Sequence, residues 1–600
     1  MAIWIGFFSL SPEEAVTVIR KGGYWVMAAT VGLFALSVVQ YLRAVRLGEA
    51  TESMDWIRWL MVIAAGILLQ IHEPHGFKII MDELVLEATS MSMHMDREVF
   101  CPLQIHNFDG ADLVFGGVID KRPYFFAFLL SGLHDLTGYR PENAFFLNAV
   151  LTVVLLGLVG ALTARLTNRY GGRLAVLLLA GLPLLAINAT GGGFEILNLC
   201  MITITMLAAV SYLQRNDAAS LNFLLMSGIL LAQTRYESVL FIVPVGLIIA
   251  IGWLRMRSIK LTVPILCAPL LLVPYPLLNS IFQAYKTFWQ LPAHLESPFS
   301  LEFLPGNLSH AVAFLFEFTP LQSNSILLSF TGVVALVFFG LFFLRRALHL
   351  HDLPAAHLVL LLFGVVILAN FLLLMCYHWG QIDQYEVSRL ALPLMLLMAL
   401  TVPFVLMDFK PSQTVWSGFV SVSAVFFFFV ALPISARSYP TERYLAYRET
   451  DWFLDFIREH KDEGAYFVIP SPLPAVILRE ATCSNTNFKI RAPEIDYHLK
   501  RGTYSRVYVF QHFAENLVTG ELVETENSLI GDEYELELLE ERKFGIGWRS
   551  RISLLTRVIP KPRDEDDVDE LRMIRREVNL RNMDDSEESR IRRDFVDMLP

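Results

Sequence analysis

Apolar residues gather in blocks of about twenty along the first 435 residues of the chain. A helix of about that length crosses a hydrocarbon core roughly 30 Å thick. The pattern therefore predicts about twelve membrane spans, which are 23–43, 57–72, 142–164, 174–190, 196–213, 220–234, 237–254, 261–279, 326–344, 355–377, 389–407 and 412–434.

The composition agrees with a membrane protein. Of the 600 residues, 54% are hydrophobic and 18% charged, against about 45–50% and about 25% in ordinary soluble domains. The mean hydropathy is +0.48. These values predict an all-α polytopic membrane domain. The net charge of −11 argues against nucleic acid as a partner, because phosphate recognition needs basic surface.

Lys and Arg in the short loops predict the orientation, since cytoplasmic loops carry an excess of both. If the loop after the first span lies inside, the outer segments are 73–141, 280–325 and everything after 435. The N-terminal residues lack the basic start and cleavage site of a signal peptide, and their side of the membrane stays open. The basic residues of the inner segments are Arg43, Arg46, Arg58, Arg165, Arg169, Arg173, Arg215, Arg255, Arg257, Lys260, Arg345, Arg346 and Lys410.

A change of composition after Pro433 predicts a second domain. Amphipathic helices alternate there with short β-rich runs, which is typical of a small α/β domain. The predicted organisation is an interfacial segment (1–22), a membrane domain (23–435) with the long outer loop 73–141, the α/β domain (436–560) and a charged tail (561–600).

The outer loop 73–141 carries the first candidate site. Loops of this length are usually functional or disordered, and this one is too apolar for disorder. Asp82 and Glu83 open a predicted surface helix, where partial burial would raise the pKa of a carboxylate and strengthen it as a base. Successive helical residues point about 100° apart, so the two acids have different tasks. Stabilisation of a helix N-terminus by an acid is the structural alternative.

Cations on the outer side supply the second element. Lys121 and Arg122, in the stretch DKRPYF, form a natural cradle for a phosphate at the lipid surface, and Arg389 opens a late span at the same level. The alternative is that these side chains only reach for lipid headgroups.

Two more outer turns contain paired candidates. Glu195 opens a span directly after Gly191, Gly192 and Gly193, glycines that let another group approach the backbone closely. Arg235 and Glu237 lie together in another turn. A helix cap for Glu195 and a local ion pair for the other two are the alternatives.

No cofactor is expected. His72, Glu73 and His75 would offer ligands to a divalent metal, but no third ligand of the usual spacing accompanies the histidines, so the metal is the minor alternative. There is no phosphate-binding P-loop and no G-x-S-x-G nucleophile motif. Cys101 and Cys483 both fall in outer segments, and a disulfide between them stays open.

Together these features resemble the GT-C glycosyltransferases. The acidic pair in a long first outer loop, the stretch DKRPYFFAFLLSGLHDLTGYRPENAFFLN and the helix order are similar to the bacterial branch of protein O-mannosyltransferases and lipid A aminoarabinose transferases. The resemblance covers about residues 57–435. Arg122 departs from it, because the family usually has a proline there, and one additional helix precedes the acidic loop.

The resemblance implies an enzyme that moves a sugar, with inversion, from a polyprenyl-phosphate donor to an acceptor hydroxyl of a lipid, glycan or protein. It places the protein in a bacterial inner membrane, with the site and the C-terminal domain outside. Asp82 corresponds to the general base and Glu83 to its neighbour. The remaining roles are donor phosphate binding by Lys121, Arg122 and Arg389, and the second acid or acceptor side by Glu195, Arg235 and Glu237.

Other functions predict different patterns. A transporter would place charges within its spans, and these spans have few. A non-catalytic lipid or glycan flippase and an envelope assembly partner remain alternatives, and both would tolerate Asp82→Asn. The C-terminal domain is expected to select the acceptor, so its deletion would spare donor binding and abolish transfer.

Overall fold

The computed structural model describes residues 4–46, 55–108, 111–286, 291–292, 294–317, 319–346, 352–436, 439–462 and 464–559. Within this part, the chain forms two compact units. The first unit, here called the membrane unit, runs from the N-terminal end to Leu86 and includes Met93–Val99 and Ile119–Tyr444. The second, the sheet unit, contains Glu87–Ser92, Phe100–Val118 and the residues from Leu445 onward.

The membrane unit is helical, apart from short 3₁₀ and π turns. Helix α3 carries residues of both units. The helices up to Tyr444 are α1 (Pro12–Arg46), α2 (Trp56–His72), α3 (Ile80–Met95), α4 (Phe125–Thr137), α5 (Asn143–Leu166), α6 (Arg169–Ala180), α7 (Pro183–Ala189), α8 (Glu195–Arg215), α9 (Ala218–Leu231), α10 (Ile242–Met256), α11 (Val263–Leu271), α12 (Pro274–Tyr285), α13 (Leu304–Phe316), α14 (Ile326–Arg345), α15 (Ala355–Met375), α16 (Tyr385–Ser388), α17 (Leu392–Asp408), α18 (Gln413–Phe426), α19 (Leu432–Ala436) and α20 (Tyr439–Arg443).

The polytopic helical fold is confirmed. Within the described ranges, nine helices are long and apolar enough to cross a membrane, and a tenth span results if α6 and α7, bent by 74°, count as one. Each of the twelve predicted segments coincides with helix, but α2 and α9 have only 17 and 14 residues. The predicted segments there, 57–72 and 220–234, are themselves shorter than the roughly twenty residues that a span needs, and the helices have similar lengths.

Polar caps fix where several of these helices begin. Asp55, Asn168, Asp217, Ser325 and Ser412 each accept a hydrogen bond from a backbone N–H of the first helical turn. Such a bond satisfies a donor that has no partner within the helix. The polar residues between the apolar blocks therefore set the ends of the helices, where the candidate site residues also lie.

The sheet unit confirms the predicted α/β architecture of the C-terminal region. Its strand order is β2-β1-β4-β3-β5-β8-β7, with β6 paired to β5. The predicted charged tail (561–600) lies outside the described residues. The elements are β1 (Cys101–Phe108), β2 (Ala111–Val118), α21 (Leu445–His460), β3 (Ala465–Val468), α22 (Leu473–Ile477), β4 (Thr482–Cys483), α23 (Asn485–Lys489), α24 (Ala492–Arg501), β5 (Arg506–Glu515), β6 (Leu522–Glu524), β7 (Tyr534–Gly545) and β8 (Trp548–Val558).

Two strands of this sheet come from the long loop 73–141. The hairpin β1–β2 joins the sheet where Ile105 pairs with Thr482, and His106 Nδ1 lies 2.6 Å from the hydroxyl of Tyr504. Cys101 and Cys483 both belong to this sheet, but no disulfide joins them. The loop 73–141 is thus divided into α3, a hairpin of the sheet unit, and the DKRPY segment.

Candidate active site

The predicted site residues come from the ends of separate elements, and all of them belong to the membrane unit. Asp82 and Glu83 lie in the first turn of α3, and Glu195 is the first residue of α8. A carboxylate is favoured at a helix N-terminus by the helix dipole. The others lie in connections: Lys121 and Arg122 between β2 and α4, Arg235 and Glu237 between α9 and α10, and Arg389 between α16 and α17.

Asp82 joins two of the predicted cations. Its Oδ1 accepts a hydrogen bond from Arg122 Nε at 2.7 Å and another from Arg122 Nη2. Its Oδ2 accepts from Arg389 Nη2. Arg122 Nη1 also donates to Asp120 Oδ1, at 2.6 Å. Asp82, Arg122 and Arg389 are each 7% exposed, so these ion pairs are buried and only weakly screened by solvent.

The row of charges continues through Glu195. Its Oε1 accepts hydrogen bonds from Arg389 Nη1 at 2.6 Å and from Arg235 Nη1 at 2.7 Å. Arg235 Nε donates in turn to Glu237 Oε1 at 2.6 Å. Residues distant in the sequence thus form one alternating series, here called the charge row: Asp120, Arg122, Asp82, Arg389, Glu195, Arg235 and Glu237.

The pKa of Asp82 differs from the expectation. Burial by itself raises this pKa, but the charges of Arg122 and Arg389 and their hydrogen bonds outweigh it and hold the pKa below its ordinary value. The expectation of a raised pKa was wrong because it considered desolvation without the partners that fold against the carboxylate. Asp82 is therefore a firmly ionised anchor for two guanidinium groups.

Glu83 has the opposite environment. Its Oε2 accepts a hydrogen bond from the backbone N–H of Lys78 at 2.6 Å, and its side chain is almost completely buried. Burial and the neighbouring charge of Glu195 raise the pKa of Glu83 to about 7, against hydrogen bonds from the backbone of Lys78 and Gly192. The two adjacent acids thus have different tasks, as their spacing on a helix predicts.

The three glycines bring Glu83 and Glu195 close to the same turn. A Cβ at Gly191 would lie 2.8 Å from Glu83 Oε1, and one at Gly193 would lie 3.3 Å from the same atom and overlap Glu195 Oε2. Asn148 holds the turn, since its Nδ2 donates to the carbonyl oxygens of Gly191 and Gly193, both at 2.8 Å. The close approach that the glycines predict is therefore that of two carboxylates.

Lys121 and Arg122 diverge although they are neighbours. Arg122 belongs to the charge row, whereas Lys121 Nζ lies 4.7 Å from the ring centre of Phe282 and 5.7 Å from that of Tyr236. Burial, and then the charge of Arg122, lower the pKa of the Lys121 amine from its ordinary value. Aromatic faces attract a cation, and Lys121 thus lies beside the charge row while Arg122 belongs to it.

One buried cation was missed by the sequence reasoning. Lys78 is fully buried, and its Nζ donates to Glu73 Oε1 at 3.0 Å and to Thr190 Oγ1. Thr441 Oγ1 also donates to Glu73 Oε1. The signal in the sequence is a lysine inside the apolar stretch FKIIM.

Replacement of Lys78 should be costly. Lys78→Met leaves Glu73 buried without its cation, and breaking a buried pair from one side costs about 3–5 kcal/mol. We expect a lower thermal midpoint of the purified protein in detergent. The double variant Glu73→Gln with Lys78→Met should recover most of the loss. Equal loss in the single and double variants would contradict a stabilising role of the pair.

The metal alternative concerns the HEPH stretch, residues 72–75. Among the described residues, no three His, Cys, Asp or Glu side chains lie close enough together to hold a metal ion. Glu73 is engaged by Lys78 and Thr441, and His75 Nε2 lies 3.1 Å from Gln70 Oε1. Glu73 and His75 therefore have other partners in this structure.

Over part of its length, this chain is similar to a family of membrane glycosyltransferases, in agreement with the predicted resemblance. The model of the dolichyl-phosphate-mannose-protein mannosyltransferase family matches residues 121–278 of this chain. The matched stretch begins at Lys121 and contains Glu195, Arg235 and Glu237. Asp82, Glu83 and Arg389 lie outside it.

Three solved structures to which this chain is similar give low identities. ArnT from Cupriavidus metallidurans bound to undecaprenyl phosphate is 12% identical, with 85% of this chain and 100% of that chain covered and a TM-score of 0.46. The apo state of the same protein is 11% identical, with 84% of this chain and 98% of that chain covered and a TM-score of 0.49. The oligosaccharyltransferase from Archaeoglobus fulgidus in complex with zinc and sulfate is 10% identical, with 77% of this chain and 72% of that chain covered and a TM-score of 0.43.

These likenesses by themselves assign no substrate to this chain, because the identities and TM-scores are low. No curated protein matches the chain.

Proposed function

We propose that this protein transfers a sugar from a polyprenyl-phosphate donor to an acceptor hydroxyl at the outer face of the membrane, with inversion at the anomeric carbon. The observation that carries the proposal is the charge row. It consists of seven buried or half-buried side chains, in which four carboxylates alternate with three guanidinium groups.

The guanidinium groups suit the leaving group of this reaction. A lipid phosphate gains negative charge on the oxygen that departs from the sugar, and fixed cations stabilise such charge in a site that excludes water. Arg122 and Arg389 converge on one carboxylate, Asp82. A phosphate entering beside Asp82 would meet two forked donors already oriented for oxygen ligands, with the ammonium group of Lys121 close by.

The acids supply the other half of the chemistry. The acceptor hydroxyl must lose a proton as it attacks the anomeric carbon, and a positioned carboxylate typically contributes 10²–10⁴-fold to such a step. The candidate carboxylates are Asp82 and Glu83, in the first turn of α3. Glu195, with Arg235 and Glu237, would form the side of the site that faces the acceptor.

The family description supports the class of donor, since dolichyl phosphate mannose is a sugar on a polyprenyl phosphate. The sugar would be a hexose or a pentose. The positive-inside pattern supports an outward-facing site, and the resemblance to bacterial relatives supports the inner membrane as its location. The acceptor, a lipid, a glycan or a protein hydroxyl, would meet the donor there.

The proposal is tested with purified protein in lipid nanodiscs and a radiolabelled polyprenyl-phosphate sugar. We expect donor binding that polyprenyl phosphate competes for and polyprenol does not, because charged hydrogen bonds to the phosphate contribute about 1.5–3 kcal/mol each. Addition of membrane extract should release polyprenyl phosphate and label an acceptor. Movement of the intact donor across a vesicle membrane without sugar transfer would support the flippase alternative instead.

A further inference from the structure

We infer that Glu83, and not Asp82, receives the proton of the acceptor hydroxyl, while Asp82 holds Arg122 and Arg389 in position for the donor phosphate. The inference rests on the proposed function and assigns a different role to each of the two candidate acids. It follows from the partners of the two carboxylates, from the position of Glu195 and from the chemistry of the step.

Both oxygens of Asp82 are engaged by guanidinium groups. Oδ1 accepts from Arg122 and Oδ2 from Arg389. A carboxylate that is neutralised by two cations is a weak base, because protonation would cost both charge-assisted hydrogen bonds. Asp82 can therefore orient the cations, but it has little affinity for the proton that the reaction releases.

Glu83 has no such partner. The hydrogen bonds to its carboxylate come from main-chain N–H groups, one of them that of Lys78 at 2.6 Å. The charged side chains that face it are Lys78, from the segment before α3, and Glu195, from α8. The Lys78 ammonium group is itself engaged by Glu73, so Glu83 shares this cation with another carboxylate.

The glycine turn places Glu83 within reach of the charge row. Gly193 borders both Glu83 Oε1 and Glu195 Oε2, and the other oxygen of Glu195 binds Arg389. Within the described part of the chain, Glu195 Oε2 is buried and has no hydrogen-bond partner. A hydroxyl between Glu83 Oε1 and Glu195 Oε2 would have a hydrogen-bond acceptor on either side. The guanidinium group of Arg389 would be close to it, because it binds the other oxygen of Glu195.

The step then balances. The hydroxyl oxygen forms a bond to the anomeric carbon as the bond from that carbon to the phosphate oxygen breaks. The electron pair of the broken bond stays on the phosphate, facing Arg122 and Arg389, and the hydroxyl proton passes to Glu83. Product release exposes the site to water, to which Glu83 returns the proton.

The proton affinities of the two acids support this division. Adjacent carboxylates whose environments push their pKa values apart take different roles in acid–base catalysis. The pKa of Asp82 is lowered by its arginines, whereas that of Glu83 is raised to about 7 by burial and by Glu195. A base of that pKa is ionised just above neutral pH and still binds a proton well.

The test is the pH dependence of sugar transfer at saturating donor, measured between pH 5.5 and 8.5 in nanodiscs. The wild type should lose about tenfold in turnover per pH unit below about 7, because protonated Glu83 cannot act as a base. Glu83→Gln should lose 10²–10⁴-fold and show no such dependence, while it still binds the donor. Asp82→Asn should bind the donor more weakly and keep the dependence.

A second variant guards against misfolding. Glu83→Asp retains a carboxylate and should keep the pH dependence at a reduced rate. The inference is overturned if Glu83→Gln keeps the wild-type dependence, if Asp82→Asn abolishes it, or if wild-type turnover is constant down to pH 5.5. Those outcomes leave sugar transfer intact, whereas failure of the proposed function would appear as no transfer by the wild type at any pH.

Discussion

Arg389→Met is expected to lower sugar transfer by about 10²–10³-fold, the usual cost of removing one donor to a developing oxyanion. Arg389 is the only member of the charge row, within the described residues, that links Asp82 to Glu195. Its loss removes a phosphate ligand and also leaves two buried carboxylates without their shared cation. Donor affinity and turnover should therefore fall together, as measured by donor binding and by release of polyprenyl phosphate.

Two variants serve as controls for this experiment. Arg389→Lys keeps the charge but loses the forked donor geometry, so its activity should lie between wild type and Arg389→Met. Arg173→Met breaks a partly buried pair of the membrane unit, in which Arg173 Nη2 donates to Asp55 Oδ1 at 2.6 Å. It should cost stability without changing donor affinity. Wild-type donor binding by Arg389→Met would contradict the assignment of the phosphate site.

Deletion of residues 445–600 is expected to abolish donor binding as well as transfer. The hairpin β1–β2 would lose β4, the strand that connects it to the remainder of its sheet. The hairpin is flanked directly by α3, which carries Asp82 and Glu83, and by Asp120–Arg122. The deletion would therefore leave an unpaired hairpin in the segment that joins α3 to Arg122 along the chain, and the donor-binding assay should show no phosphate-dependent signal.

A milder change in the same sheet provides the comparison. Tyr504→Phe removes only the hydroxyl that contacts His106, a hydrogen bond that contributes about 0.5–1.5 kcal/mol, so it should leave donor binding close to that of the wild type. Wild-type affinity in the deletion variant would instead show that the sheet unit acts on the acceptor alone, as the sequence by itself suggests.

The sequence predicted those features that depend on local pattern. Apolar blocks indicated the helices, and the acids and cations at their outer ends indicated the members of the charge row, because charged residues next to long apolar runs are few. The three glycines before Glu195 indicated a close approach of other groups. None of these patterns specified which acid meets which cation, since Asp82 and Arg389 are 307 residues apart.

Three features could not be predicted from the sequence because they depend on long-range packing. The hairpin β1–β2 is interrupted by Pro102 and Gly116 and has no alternating apolar pattern that would indicate a strand. The pKa of Asp82 depends on arginines from two other segments. In the sequence, Lys78 resembles an ordinary loop cation. Only the fold places it in one hydrogen-bonded group with Glu73, Thr190 and Thr441. In each case the decisive partner comes from another element, and no local rule contains it.

The hairpin also sets the order in which the protein can mature. Tyr504 lies 398 residues after His106, so β1 cannot settle into its sheet until almost the whole polypeptide has left the ribosome. Contacts of such sequence separation form slowly. All the intervening spans must be inserted into the bilayer first, and a nascent chain that stalls before β4 would carry a hairpin without the rest of its sheet. Biogenesis would thereby postpone completion of the sheet until late in synthesis.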